Sequence, residues 1–142
     1  CYDTTLISTA LFCHPSINSI INKKQVRSID ILPTILELLS IPRDESFEEF
    51  DGKSLISIIN GKNESRIAFS QSGNPLTSGK PPKEPNVYAI RTDEWKYIKN
   101  IHDNSEELYD LTLDPNENTN LIDKKIDKSN EMREIMNRIL NQ

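Results

Sequence analysis

The chain has 142 residues, 35% of them apolar and 27% charged, with a formal net charge of −5. This length suits one domain of ordinary size. The apolar residues come in organised runs, which sets the chain apart from disordered compositions. An acidic balance with basic residues scattered as pairs (Lys23-Lys24, Lys124-Lys125) argues against a nucleic-acid partner. No apolar run approaches the ~20 residues that span a bilayer, and the first residues lack the charged and apolar regions of a signal peptide. The chain opens on Cys1 rather than methionine. A processed or excised piece of a longer protein is therefore expected, with any targeting signal on the missing part.

In chain order, Ser8–His14, "STALFCH", is an apolar run stopped by Pro15 and reads as a short buried strand. Cys13, inside that run, reads as a buried free thiol. Two cysteines, Cys1 and Cys13, do not amount to a disulfide framework. Asn18–Gln25 is a polar loop. In "VRSIDILPTILELLSI", Ser28 or Asp30 can cap a helix whose first turn tolerates Pro33. Ile31, Ile35, Leu38 and Leu39 form its stripe, and Leu32 and Leu36 widen it. So little polar surface implies a helix packed inside a larger body. "PRDESFEEFDG" is an acidic loop ending on the Asp51-Gly52 turn signal. "KSLISIING" is a short helix with Ser54 near its start and Gly61 just past its end. Asn63-Glu64-Ser65 is a glycosylation sequon that matters only in a eukaryotic secretory setting.

Arg66–Ser70 reads as a strand, followed by a long loop from Gln71 to Asn86 rich in Gly, Pro, Ser and Lys. "VYAIRTDEWKYIKNI" is a β-hairpin turning at Thr92-Asp93-Glu94. In its first strand Val87, Ala89 and Arg91 face one way, Tyr88 and Ile90 the other. "EELYDL" is a third strand after a turn at His102–Glu106, and "DPNENTNL" is a loop of turn-forming residues. Asp127–Gln142 carries Met132, Ile135, Met136, Ile139 and Leu140 at amphipathic helical spacing. Residues 1–60 thus read as the last strand and helices of an α/β body. Residues 61–142 read as a small antiparallel sheet packed by a C-terminal helix.

Most polar candidates have structural readings. Trp95, Tyr97 and Tyr109 are expected between the sheet and the C-terminal helix. Arg91 and Lys96 flank the hairpin turn and read as solvated or paired with nearby acids. Asp110, Asp114 and Glu117 lack the spacing of a calcium loop and read as turn and capping residues. His14 and His102 have no His or Cys at i+3 or i+4, and no Gly-x-Ser-x-Gly elbow accompanies them.

Four segments resemble sulfatases of the alkaline-phosphatase-like superfamily, in the family's own order. "VRSIDILPTILELLSI" is similar to a Val-x-x-x-Asp-Ile-x-Pro-Thr-Ile-Leu-x-Leu-x-Gly-Ile segment, with Ser40 where the family usually has glycine. "DGKSLISIINGK" resembles its Asp-Gly-x-Ser-Leu segment and "AIRTDEWKYIKN" its Arg-Thr-x-x-Trp-Lys-Tyr hairpin. "ELYDLTLDPNENTNL" resembles the signature near its C-terminus. The resemblance implies the C-terminal segment of an enzyme that hydrolyses sulfate esters with a formylglycine nucleophile and a divalent metal, usually calcium, both in the missing part. The partner it implies is that N-terminal catalytic part, and the substrate a sulfated small molecule or glycan. A secreted, periplasmic or lysosomal-type compartment would fit the family. Phosphate and phosphonate ester hydrolases share the scaffold, and from a different class a non-catalytic module that self-associates through exposed faces remains an alternative.

Cys13-His14-Pro15-Ser16-Ile17 matches the family's Cys-x-Pro-Ser-Arg signature at three positions, but Ile17 replaces the arginine. It also stands just before the Asp-Ile-x-Pro-Thr helix, late in the family's order, and so reads as the end of a strand. No catalytic residue and no metal ligand is assigned in this chain. In the family, the loop after the first strand of the C-terminal sheet approaches the mouth of the active site. That makes Gln71, Ser72, Asn74 and Lys80 candidates for the substrate rim, with Lys83 a further cation beside them.

Overall fold

The computed structural model describes residues 1–42, 51–74 and 82–141. In order, the elements are α1 (Asp3–Leu6), a 3₁₀ turn (Ser28–Asp30), α2 (Ile31–Leu38), α3 (Ile56–Ile59), β1 (Ala68–Ser72), β2 (Val87–Arg91), β3 (Trp95–Asn100), β4 (Glu106–Asp110) and α4 (Ile126–Leu140). The chain separates into two compact units. One contains Thr9–Arg66; the other joins Cys1–Ser8 to Ile67–Gln142.

In the Thr9–Arg66 unit, structure is organised around one buried carboxylate. Asp30 accepts from Arg27 Nη2 at 2.8 Å, the Arg27 backbone N–H at 3.0 Å and the Lys53 N–H at 3.0 Å. Arg66 Nη1 lies 3.0 Å from its other flank. Burial pushes this carboxyl up, but the hydrogen bonds from Arg27, Lys53 and Arg66 outweigh burial and hold it below the ordinary carboxylate range. The expected capping role is therefore only part of its work. Asp30 closes the 3₁₀ turn by reaching back to Arg27, and it also binds residues far along the chain. Arg66 extends the tie by donating to the carbonyls of Lys53 (2.6 Å) and Ser54 (2.8 Å) at the entry to α3. Thr34 completes it, donating to Asp30 O at 2.6 Å and accepting from Leu55 N at 2.9 Å.

Two backbone positions show why this unit needs its small residues. A Cβ on Gly52 would lie 1.9 Å from Ile29 O, so the strand-like approach of residues 51–53 to the 3₁₀ turn admits only glycine. Helix α2 ends in a Schellman-type closure, with Ile41 N donating to Leu36 O and Ser40 N to Glu37 O. Ser40 stands there at φ 52°, in the left-handed region that glycine adopts cheaply.

The strand expected at Ser8–His14 does not form: these residues are irregular, and among the described residues no other strand pairs with them. A strand is stabilised only by a ladder partner, and apolar character alone supplies none. Cys13, expected to be buried, is for the same reason exposed.

The sheet unit is a four-stranded antiparallel meander in the order β1-β2-β3-β4. The hairpin, the third strand and the C-terminal helix form where the residue patterns place them. The first strand is shifted to Ala68–Ser72, so Gln71 and Ser72 belong to a strand and not to the loop. Its alternation gives two cores. On the α4 side, Ile90, Tyr97 and Leu108 pack with Met132 and Met136, flanked by Trp95. On the other side, Val87, Ala89, Ile98, Tyr109 and Leu111 pack together. Tyr109 is thus not beneath the helix as expected. It neighbours Leu108 in the strand, and adjacent residues of a strand face opposite ways. The outer edge of β4 is covered by residues 120–121, with Leu121 N donating to Leu108 O and the Asn120 side chain bridging Leu108 N and Glu106 O.

Lys96 points into the second core and has no exposed surface. Its Nζ lies 2.7 Å from Asp3 Oδ1 and 2.7 Å from Glu117 Oε1. Arg91 Nε binds Asp3 Oδ2 at 2.9 Å, and Asp3 N donates to Glu117 Oε2 at 2.7 Å. Arg91 and Lys96 are paired with acids, as the sequence suggested, but Lys96 is paired inside the protein. Glu117 holds φ 56° to reach it.

Two substitutions should move stability in opposite directions. In urea unfolding, Gly52→Ala is expected to cost about 1–3 kcal/mol through overpacking against Ile29. Ser40→Gly is expected to gain about 0.5–1 kcal/mol by relieving the left-handed serine, net of glycine's added unfolded-state entropy. The buried network adds a pH dependence. Burial raises the Asp3 carboxyl, but Lys96 and Arg91 outweigh it and hold the group below its ordinary range. Its contribution is therefore complete above the unfolded value of about 4 and is lost as pH falls through the lowered native value. Unfolding measured from pH 6 to pH 2 should show stability falling as acid is added. Asp3→Asn should be less stable at pH 6 and show a shallower fall.

Candidate functional site

The signature-like stretch forms a tight turn. Ile17 N donates to His14 O at 3.0 Å, and Ser16 N donates to His14 Nδ1 at 3.2 Å. Residues 10–14 line one side of an open groove of about 390 Å³, and Ile31, Ile35, Leu38 and Leu39 line the other. Among the described residues, its titratable side chains are the Cys13 thiol and the His14 imidazole, whose Nδ1 is engaged within the turn. Among the described residues, neither a cation nor a carboxylate lines the groove to meet the charge that develops in sulfate transfer. The lining suits an apolar occupant.

Among the described residues, no three His, Cys, Asp or Glu side chains gather where a metal could bind. The acids that do converge, Asp3 and Glu117, have the Lys96 ammonium as their shared cation. Asp110 and Asp114 serve the turns after β4. Asp110 accepts from Thr112 N and Leu113 N, and Asp114 from Asn118 N and Thr119 N. No helix among the described residues is long and apolar enough to cross a membrane.

The candidates for the rim are divided by the strand. Gln71 is paired with Tyr88 and Ser72 with Val87, so their side chains leave opposite faces of the sheet. Both are exposed. Asn74 stands at the neck of the loop, held by its backbone: its N–H donates to Asn86 Oδ1 at 2.6 Å, and its carbonyl accepts from Asn86 Nδ2 at 3.0 Å. The Asn86 carboxamide thereby extends the β1–β2 ladder beyond Ser72, whose carbonyl receives Asn86 N. This leaves the exposed Asn74 side chain available to a ligand. A Cβ on Gly73 would meet the Pro82 ring at 2.9 Å, so the two arms of the neck approach closely. Lys83 is exposed, and Lys80 lies outside the described residues.

Sequence reasoning missed three neighbours of Gln71. Phe69 and Tyr88 lie on its face of the sheet, their rings 6.1 Å apart and 20° from parallel. Lys99 follows in the same cross-strand row, opposite Tyr88. The signal was the strand period itself, which would have shown had β1 been carried two residues further. Lys96 was legible in the same way, as the residue two before Ile98 on an inward face.

Known proteins resemble this chain over most of its length. A choline-sulfatase of Rhizobium meliloti (strain 1021) is 31% identical over 94 residues, covering 66% of this chain and 17% of the relative. Arylsulfatase K of Gallus gallus is 29% identical over 128 residues, covering 82% and 22%. The solved structure of a 2-O GAG sulfatase superposes with a TM-score of 0.63 at 26% identity, covering 79% of this chain and 24% of that one. A protein solved with its substrate D-glucosamine-2-N,6-O-disulfate shares the fold, with a TM-score of 0.61 at 20% identity over 79% of this chain and 23% of that one. The chain therefore spans about a fifth of the length of its curated relatives. These neighbours are sulfatases, which have the alkaline-phosphatase-like α/β fold. Matched over residues 6–142 by the family described as N-sulphoglucosamine sulphohydrolase, C-terminal, the chain belongs to this C-terminal family of the sulfatases.

Proposed function

We propose that this chain is the C-terminal portion of a sulfatase that hydrolyses sulfate esters of a glycan, and that it is inactive by itself. The family match over residues 6–142 carries this reading. The chemistry would belong to an upstream part holding the nucleophile and calcium, where the metal would supply charge stabilisation of the transferring sulfate. Among the described residues, the converging acids are neutralised by Lys96, and the groove beside Cys13 is lined mainly by apolar side chains.

The upstream part is also the partner that the Thr9–Arg66 unit fits. Leu11 and Ile21 are 92% and 93% exposed, Leu32 and Ile35 of α2 and Leu39 just after it are exposed as well, and Leu11, Ile35 and Leu39 line one groove. A protein surface does not ordinarily carry so continuous an apolar face without a partner. A strand contributed from upstream would pair the unladdered residues 8–14 and bury that face. The glycan substrate is supported by relatives described as a 2-O GAG sulfatase and as a complex with a sulfated glucosamine. In this reading Gln71, Ser72 and Asn74, with Lys80, frame the substrate. Gln71 and Ser72 are exposed polar residues of β1 and Asn74 is exposed just beyond it, and amides and hydroxyls match sugar hydroxyls in hydrogen-bonding character.

The isolated chain, assayed with an aryl sulfate in the presence of calcium, is expected to show no turnover, with or without Cys13→Ala. Turnover that disappears with Cys13 would overturn the reading. Sedimentation of the isolated chain should show self-association through the uncovered apolar face. In the full-length enzyme, Gln71→Ala and Asn74→Ala are expected to raise KM for a sulfated saccharide roughly threefold to tenfold, the cost of one lost hydrogen bond, with kcat retained. Unchanged KM in both would remove them from the rim.

A further inference from the structure

We propose that Phe69, Tyr88, Gln71 and Lys99 form a saccharide subsite, in which a sugar ring stacks on the aromatic pair and a sulfate group pairs with Lys99. This inference rests on the sulfated-glycan reading above and assigns it a surface that the rim residues alone do not supply.

The strand register builds the surface. Phe69 and Gln71 alternate on β1, Tyr88 stands beside Gln71 on β2, and Lys99 stands beside Tyr88 on β3. All four therefore leave the same face of the sheet. From Gln71 to Lys99 is two strand spacings, roughly 10 Å, the scale of one or two sugar rings. The aromatic rings are nearly parallel, and Phe69 is 37% exposed although it lies beside the helix-side core. Tyr88 is held in place by its hydroxyl, which donates to Pro85 O at 3.2 Å. Tyr88 also packs against the helix-side core, so exposed Phe69 rests on an anchored ring; an aromatic ring fixed in this way can cover the C–H face of a pyranose and costs little ordering on binding.

Lys99 supplies the charge. The acid opposite it in the ladder is Glu106, but that carboxylate is already engaged. Arg133 Nε and Nη2 bind its two oxygens, and Tyr97 Oη donates to it at 2.6 Å. Among the described residues, Lys99 has no ion-pair partner of its own. Gln71 adds a donor and an acceptor for hydroxyls. An aromatic pair, a carboxamide and an ammonium on one face of the sheet are complementary to a ligand with an apolar ring face, hydroxyl groups and an anion. A sulfated sugar has all three.

The test is kinetic, in the full-length enzyme, with a heparin-derived sulfated disaccharide compared with a small aryl sulfate. Phe69→Ala and Lys99→Gln are each expected to raise KM for the disaccharide roughly fivefold to twentyfold, leaving kcat and all aryl sulfate kinetics unchanged. Phe69→Tyr and Lys99→Arg should restore most of the affinity. Aryl sulfate turnover with unchanged disaccharide KM in both variants would overturn this subsite and leave the sulfatase reading standing. If the full-length enzyme turned over no sulfate ester, that reading would fail, and NMR titration of the 142-residue chain with the same disaccharide would decide the subsite alone. Shifts at Phe69, Tyr88 and Lys99 that vanish in Lys99→Gln support it; no shifts there, or equal shifts with the unsulfated disaccharide, overturn it.

Discussion

Lys96 Nζ lies 2.7 Å from a carboxylate oxygen of Asp3 and 2.7 Å from one of Glu117, with no exposed surface of its own. An ammonium in that position would be prohibitively costly alone, and two buried carboxylates would repel each other without it. The three charges are tolerable only together, with Arg91 taking the remaining side of Asp3. The arrangement ties residues 1–8 to a sheet that begins at Ala68 and to the loop after β4. The sheet unit owes its discontinuous make-up to this contact: Cys1–Ser8 belongs with Ile67–Gln142 although residues 9–66 intervene. Tyr2 reinforces it from the neighbouring position, packing edge-on against Tyr109 and donating to Glu107 at 2.8 Å.

The Thr9–Arg66 unit uses the same device independently. Asp30, also without exposed surface, is surrounded by Arg27, Arg66 and backbone N–H groups, and it fixes where α2 begins and where the chain enters α3. Such networks give up some stability relative to an apolar core, and they specify which segments meet. That property suits a framing domain. The buried charges that look most reactive serve architecture. Asp3, Glu117 and Asp30 are all committed to cations within the protein.

Elements with strong local patterns were legible. Helix α4 follows from Met132, Ile135, Met136 and Ile139, and the hairpin from the alternation around Thr92–Glu94. With serine standing where glycine is usual, a differently shaped end to α2 was expected; Ser40 instead holds the left-handed conformation, because the two closing hydrogen bonds of the helix end require it whatever the side chain. Features that depend on partners distant in sequence were not. Residues 8–14 have a strand's composition but no ladder, so their expected strand and the burial of Cys13 both failed. Tyr109 went to the opposite face because a one-residue step reverses a side chain, and an aromatic type does not report direction. For the candidate site, Gln71 and Asn74 could be named from composition, but not the separation of Gln71 from Ser72 across the sheet, nor the Gln71–Tyr88–Lys99 row with Phe69 beside it. Those follow from register, which two residues of error in β1 concealed.

The Asp3–Lys96 contact couples the chain's first residues to its sheet. A double-mutant cycle with Asp3→Asn and Lys96→Met, read by urea unfolding at neutral pH, measures it directly. A coupling energy of about 1.5 kcal/mol or more is predicted, with the double variant losing much less than the sum of the single ones. Additive losses, with coupling near zero, would contradict the account and leave residues 1–8 as a segment that merely lies against the sheet.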